Sequence, residues 1–147
     1  MPISPSKLSL YPGGSINSTE WGELRRQVQA RAGNCCEKCG VKNHALGGRT
    51  ADGEFIPALP LGDNGLHLVW PRQGDEAWCR KGDEDAVMLK IIKIVCTTAH
   101  VDGKLIDHSL SNLRFWCQQC HLRHDAALRK IEALEAAGQM TIFDGAA

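Results

Sequence analysis

Cys36-Glu37-Lys38-Cys39 and Cys117-Gln118-Gln119-Cys120 decide how this chain is read. Each is a pair of thiols separated by two residues, a spacing that lets one tight turn aim both sulfurs at the same point. One such pair alone says little, because redox pairs and buried free thiols share the spacing. Two pairs, one followed by Gly40 and the other by His121, supply the four soft ligands that zinc takes in a tetrahedron. Cys36, Cys39, Cys117 and Cys120 are therefore expected to hold a structural Zn2+. Cys35 is an alternative to Cys36 at a spacing one residue longer. Cys79 and Cys96 have no close partner in the sequence and read as buried apolar side chains. An ion tying residue 36 to residue 120 would close a large loop, and its removal would unfold the domain.

The totals agree with a metal-held fold. The chain has 147 residues, 43% of them hydrophobic but only 5% aromatic, so an aliphatic core needs reinforcement. Seven cysteines are an odd number, which argues against a complete disulfide framework. The start Met1-Pro2-Ile3-Ser4-Pro5 shows no apolar leader, and no apolar run is long enough to span a bilayer. The expectation is a cytoplasmic protein with no membrane contact, where clustered thiols usually mean metal. Net charge is zero, which does not advertise nucleic-acid binding. The charge is nevertheless segregated. Arg25 to Arg49 is basic, whereas Asp63, Asp75, Glu76, Asp83, Glu84 and Asp85 make residues 63–85 acidic.

Working outward, residues 1–17 hold three prolines and read as an extended N-terminal arm. A helix is expected from Ser18, capped by Asn17 or Ser18, with Trp21, Leu24, Val28 and Ala32 on one face and a stop at Gly33-Asn34. Residues 41–90 read as an irregular, β-rich insertion. Val87 to Thr98 is β-branched and apolar and predicts one strand, and Leu113 to Trp116 predicts a second. A helix follows over about 119–137, with Leu128, Ile131 and Leu134 as its apolar stripe, stopped by Gly138. The fold class is α+β: an N-terminal helix, a zinc-bridged, treble-clef-like core over residues 18–138 interrupted by the insertion, and a C-terminal tail over 139–147.

From the end of the first predicted strand to the start of the last helix stand His100, Asn112 and His121, in Thr98-Ala99-His100-Val101-Asp102, Ser111-Asn112-Leu113 and Cys120-His121-Leu122-Arg123-His124-Asp125. A His closing one strand, an Asn in the loop and a His opening a helix resembles the HNH (ββα-metal) nuclease pattern, in the small phage and bacterial type where a helix leads into a CxxC pair. The resemblance covers about residues 18–40 and 94–137. It implies a metal-dependent DNA endonuclease that hydrolyses phosphodiester bonds in the cytoplasm of a bacterial or phage-infected cell. On it, His100 is the general base that activates water, Asn112 orients that base, and His121 binds a catalytic Mg2+, Mn2+ or other divalent ion. His121 and Asp125 lie four apart on the predicted helix and can share one ion, with His124 as a substitute. The sequence departs from the pattern at Ala99, where many members carry an Asp or His ligand. Asp102 or Asp125 would then supply the carboxylate. Failing that, the chain would be a catalytically inactive zinc-held module that binds DNA or inhibits a protein partner.

Partners follow from the same reading. DNA phosphates would be met by Arg25, Arg26, Arg31, Arg123 and Arg129, with affinity falling as salt rises. The acidic insert is a solvated loop or, alternatively, a surface for a protein target. His44, His67 and His108 read as surface or local-contact residues, His108 being near enough to the site to stand in. The tail Gln139-Met140-Thr141-Ile142-Phe143 resembles the pentapeptide by which bacterial DNA-processing proteins dock on the sliding clamp. Gln139 would be the polar anchor and Met140, Ile142 and Phe143 the apolar ones. The alternative is that Ile142 and Phe143 fold back on the domain.

Overall fold

A computed structural model describes residues 5–138 as a mixed α+β protein. The chain divides into two compact units, one formed by residues 1–40 with 96–147, the other by 41–95.

In the first unit, the sequence around Ser18 and Gly33 sets the principal N-terminal helix. A four-residue helix α1 (Pro5–Leu8) and a single 3-10 turn (Pro12–Gly14) come first. These replace the extended arm expected from the prolines, because Pro at the start of a turn is preset for helical φ and needs no N–H there. Helix α2 (Thr19–Arg31) is capped by the Ser18 hydroxyl, which accepts from Trp21 N at 3.1 Å. It buries Trp21, Gly22 and Val28. At its end Asn34 N donates to Gln29 O and Gly33 N to Ala30 O, both at 3.1 Å. This is a Schellman stop with Gly33 at φ 64° and Asn34 at φ 60°, both left-handed. The stop turns the chain back sharply, and the first cysteine pair begins two residues later.

The unit is completed by a ββα element. Of its two antiparallel strands, the first is Cys96–His100 and the second, Leu113–Cys117, follows a 3-10 turn at Leu110–Asn112. The long helix Gln118–Ala136 starts at the next residue. The strand over Val87–Thr98 expected from the sequence is not one strand. Its residues serve three different sheets, as Val87–Lys90, Ile92–Lys93 and Cys96–His100. The run changes partner twice, pairing with the strand Glu76–Cys79, then with Leu46–Arg49 and then with Leu113–Cys117, so no single ladder can hold it.

The second unit is built from β1 (Leu46–Arg49), β2 (Phe55–Pro57), β3 (Gly62–Asp63), β4 (Leu68–Val69), β5 (Glu76–Cys79), β6 (Val87–Lys90) and β7 (Ile92–Lys93). They form a three-stranded sheet in the order β2-β1-β7 and two hairpins, β3-β4 and β5-β6. Ile56, Ala58, Ala77, Cys79 and Ile91 make its core, with Leu46 and Leu89 against it. Two glycines let β1 enter this core. A Cβ on Gly47 would lie 2.2 Å from Ile56 O, and one on Gly48 2.4 Å from Leu89 Cβ.

Back in the first unit, β8 (Cys96–His100) and β9 (Leu113–Cys117) pair from Cys96↔Cys117 to His100↔Leu113. Leu113 and Cys117 are fully buried, and Ala99, Phe115 and Trp116 nearly so. Helix α3 (Gln118–Ala136) buries only Cys120. Its expected stripe is covered incompletely: Leu128 and Ile131 are half-buried and Leu134 is 42% exposed. Only the start of the helix has a sheet to lie on.

Candidate functional site

Two knuckles and the strand between them build the first site. The Cys36–Cys39 turn closes with Gly40 N donating to Cys36 O at 2.9 Å. The second pair straddles the end of β9 and the first turn of α3. The sulfurs of Cys36, Cys39, Cys117 and Cys120 all lie within 4.8 Å of one another. Cys39 and Cys117 are 3.8 Å apart at sulfur. Four thiolates about 2.3 Å from a central ion sit roughly 3.8 Å apart along the tetrahedron's edges, so the donor set and its spacing fit zinc. Cys35 stands outside this set, half-buried. Burial pushes the Cys36 thiol up, but backbone hydrogen bonds at Cys39, Cys117 and Lys38 outweigh it and bring it down to about 7. A thiol so poised is readily the thiolate that a metal needs. Cys96, opposite Cys117 on the ladder, behaves otherwise: burial first, then negative charge on Cys36 and Cys117, push it up to about 12. Cys96 and, in the other unit, Cys79 are buried thiols, as their isolation in the sequence suggests.

One charged pair fixes the first knuckle on the ββα element, and nothing in the sequence reading marks it. Arg31 grips Glu37 with two bonds, Nε to Oε2 at 3.0 Å and Nη2 to Oε1 at 2.7 Å. Glu37 Oε1 also accepts from Phe115 N at 2.8 Å, while Glu37 N donates to Phe115 O at 2.7 Å. Arg31 further donates to Leu110 O at 2.8 Å and Leu113 O at 2.5 Å. Arg31, expected to bind phosphate, thus has its guanidinium committed within the fold. Burial raises the Glu37 carboxyl, but the Arg31 and Phe115 bonds prevail and hold it below its ordinary range.

The second site surrounds the end of β8. His100 is buried, 8% exposed. Its ring stacks on Trp21 at 5.6 Å between centroids and 12° between planes, with Tyr11 edge-on at 6.4 Å. Its Nε2 lies 3.0 Å from Nδ1 of His108, whose Nε2 lies 2.8 Å from Leu10 O. Burial first, then the charge of His108, lowers the pKa of His100, favouring neutral imidazole. The amide of Asn112 does not bond His100. Its Nδ2 donates to Asp107 O at 2.8 Å and Asp102 Oδ1 at 3.2 Å, and its Oδ1 accepts from Asp102 N at 3.3 Å. Asn112 thus pins the loop that carries His108. Backbone N–H donation from Lys104 leads the effects that lower the Asp102 carboxyl.

On α3, His121 Nε2 and Asp125 Oδ2 are 3.4 Å apart, as their spacing of four implies. His124 Nε2 donates to Val101 O at 2.5 Å and its ring lies 4.6 Å from Trp116, so it ties α3 to the turn after His100. Asp125 and Arg129 also line a cleft of about 330 Å³ with Lys7, Gly103, Leu128 and Glu132. Among the described residues, the four sulfurs are the one group of three or more candidate ligands at such close spacing, so Asp102 does not join His121 and Asp125 within it. Ala99 is buried in the ladder opposite Arg114. Arg25, Arg26, Arg123 and Arg129 are exposed, as are Asp63, Asp75, Glu76, Asp83, Glu84 and Asp85 in the other unit. Gln139, Met140, Ile142 and Phe143 lie outside the described residues. No helix among the described residues is long and apolar enough to cross a membrane.

The sequence reading names His108 only as a stand-in and Arg31 only as a phosphate ligand; the His100–His108 contact and the Arg31–Glu37 pair are what it leaves out. A His eight residues beyond another, across a loop, carries no periodic signal. An Arg–Glu pair spaced by six spans a helix stop, where helical pairing rules do not apply. Comparison with protein-family models, with curated proteins and with solved structures gives no match.

Proposed function

We propose that the chain is a zinc-stabilised, metal-dependent DNA endonuclease of the HNH type, acting on phosphodiester bonds. The observation that carries this reading is the succession, in the unit that holds the four-sulfur cluster, of a buried His100 at the end of β8, the Asn112 turn leading into β9, and the His121–Asp125 pair in the first turns of α3. Zinc in the cysteine cluster has a structural role, because all four positions of its tetrahedron are taken by sulfur and none is left for substrate. His121 and Asp125 would hold a catalytic Mg2+ or Mn2+, with further positions left to water and phosphate oxygens as such ions prefer. When bound, that ion supplies charge stabilisation for the phosphate and the leaving oxygen. His100 takes the proton of the attacking water, for which a neutral imidazole is suited near neutral pH. Trp21 and Tyr11 fix the plane of its ring. Arg25, Arg26, Arg123 and Arg129 would meet backbone phosphates. The tail at residues 139–147 would tether the enzyme to a bacterial sliding clamp and so raise its local concentration on DNA.

A second reading, a zinc-held module that binds DNA or a protein target without cutting, is favoured by Ala99. Its methyl group is buried in the ladder and offers no ligand beside His100. Incubation of supercoiled plasmid with the protein and Mg2+ or Mn2+, beside a His100→Ala control of equal zinc content, separates the two. Metal-dependent nicking by the wild type and its loss in the control support the nuclease. Equal outcomes from both proteins reject it, and retained plasmid binding would then identify the module.

A further inference from the structure

His100 and His108 are two imidazoles in direct contact, and the third partner in the chain decides where the protons are. Leu10 O is a carbonyl oxygen and can only accept, so His108 Nε2, at 2.8 Å, carries hydrogen. A neutral His108 has one N–H, so its Nδ1 presents a lone pair. That lone pair faces His100 Nε2 at 3.0 Å, which must then be the donor. A neutral His100 with hydrogen on Nε2 keeps its own lone pair on Nδ1.

We propose that His108 is a positioning residue that holds His100 as its Nε2–H tautomer, leaving Nδ1 as the nitrogen that accepts a proton. The activity part of this inference rests on the nuclease reading, whereas the tautomer itself does not. The contacts explain why a second His serves here. In its Nε2–H form His108 both accepts from His100 and donates to Leu10, which an alanine or a valine cannot do. The loop bearing His108 is itself pinned. Asn112 Nδ2 donates to the carbonyl of the preceding residue, Asp107, and the Asp107 carboxylate accepts from Ser109 N at 3.0 Å and Ser109 Oγ at 2.6 Å. His100 is clamped from the other side by its stack on Trp21 of α2. The base is thereby fixed in plane by one helix and in tautomer by one loop, which is how enzymes keep a neutral imidazole ready without using its charge.

The test uses the full chain labelled with 15N, at pH 8 where imidazoles are neutral. Two-bond proton–nitrogen correlation spectra distinguish Nε2–H from Nδ1–H rings directly. His100 should show the Nε2–H pattern in the wild type. His108→Asn keeps an acceptor near the Nδ1 position and should retain it. His108→Ala should release it to a mixture of tautomers. Plasmid nicking should fall roughly tenfold or more in His108→Ala and recover substantially in His108→Asn, given that general bases contribute about 10²–10⁴-fold. An Nδ1–H ring at His100 in the wild type, or an unchanged Nε2–H pattern in folded His108→Ala, overturns the proposal. If His108→Ala does not fold, the wild-type and His108→Asn spectra decide alone. A wild type that shows the Nε2–H ring and loses it in His108→Ala, yet never nicks DNA, upholds the tautomer assignment and rejects only the nuclease.

Discussion

Removal of the metal is the perturbation with the largest expected effect, and its size follows from where the cysteines sit. Cys39 and Cys117 are 78 residues apart in sequence and 3.8 Å apart at sulfur. An ion bound only in the folded state, where the two knuckles meet, adds its binding free energy to folding. For structural zinc sites held by four side chains that contribution is about 10–16 kcal/mol at pH 7. Domain stabilities are about 5–15 kcal/mol in total, so loss of this one constraint consumes much or all of the margin. For a unit of this size each kcal/mol is worth about 4–8 °C, so the midpoint should fall by roughly 20 °C or more. The assay is calorimetry of the protein with and without a strong zinc chelator, alongside metal analysis, with Cys39→Ser as the genetic counterpart. Stoichiometric zinc together with a large drop on chelation is the expected result. Superimposable melting curves, or protein that carries no zinc and melts normally, would refute both the metal assignment and the linkage of metal binding to folding.

Other consequences are more local. Gly47→Ala should destabilise the second unit by about 1–3 kcal/mol in urea denaturation, because the new methyl meets the Ile56 carbonyl in the β1–β2 ladder and cannot be relieved by a rotamer change. Glu37→Gln removes the carboxylate charge while keeping an acceptor for Phe115 N. It should cost about 1–2 kcal/mol, and a double-mutant cycle with Arg31→Ala should recover most of that as pairwise coupling. The Glu37 carboxyl is held below its unfolded value of about 4.3, so its contribution is present above that pH and lost as pH falls through the folded value. The wild-type advantage over Glu37→Gln should accordingly shrink below about pH 4. For His100 the shift is also downward, so the folded protein keeps it neutral to lower pH than free imidazole's 6.5. The acid limb of the nicking rate should therefore lie below pH 6.5, and a limb at or above that value would count against His100 as the base.

Features encoded by near neighbours are legible in the sequence; those decided by distant partners are not. Ser18 and Gly33-Asn34 fix both ends of α2 because a cap and a Schellman stop act within one turn. The two CxxC pairs declare their cluster because thiol spacing is local, even though the pairs meet across most of the chain. The run from Val87 to Thr98 misleads for the opposite reason. Apart from Lys90 and Lys93 its residues suit a strand, but which strand it pairs with changes twice, at Ile91 and again before Cys96. Arg31 looks like a phosphate ligand until its partner Glu37 and the carbonyls of Leu110 and Leu113 are in view. His108 looks like a surface residue until the loop of 101–112 folds it onto His100. The α3 stripe illustrates the limit of periodicity: Leu128, Ile131 and Leu134 sit on one face, but a periodic face does not supply a surface to cover it.

The unit that holds the cysteine cluster is made of two stretches of chain, residues 1–40 and 96–147. On the ribosome these stretches emerge at different times. At about 5–20 residues per second, the 78 residues that separate Cys39 from Cys117 take roughly 4–16 s to add. For that interval the first knuckle is a bare dithiol, open to oxidants and to the wrong metal. Residues 41–95, which make their own sheet and hairpins, are complete before the second knuckle is. The cysteine cluster can therefore close only after the whole of the middle unit has been synthesised, when the final cysteine arrives.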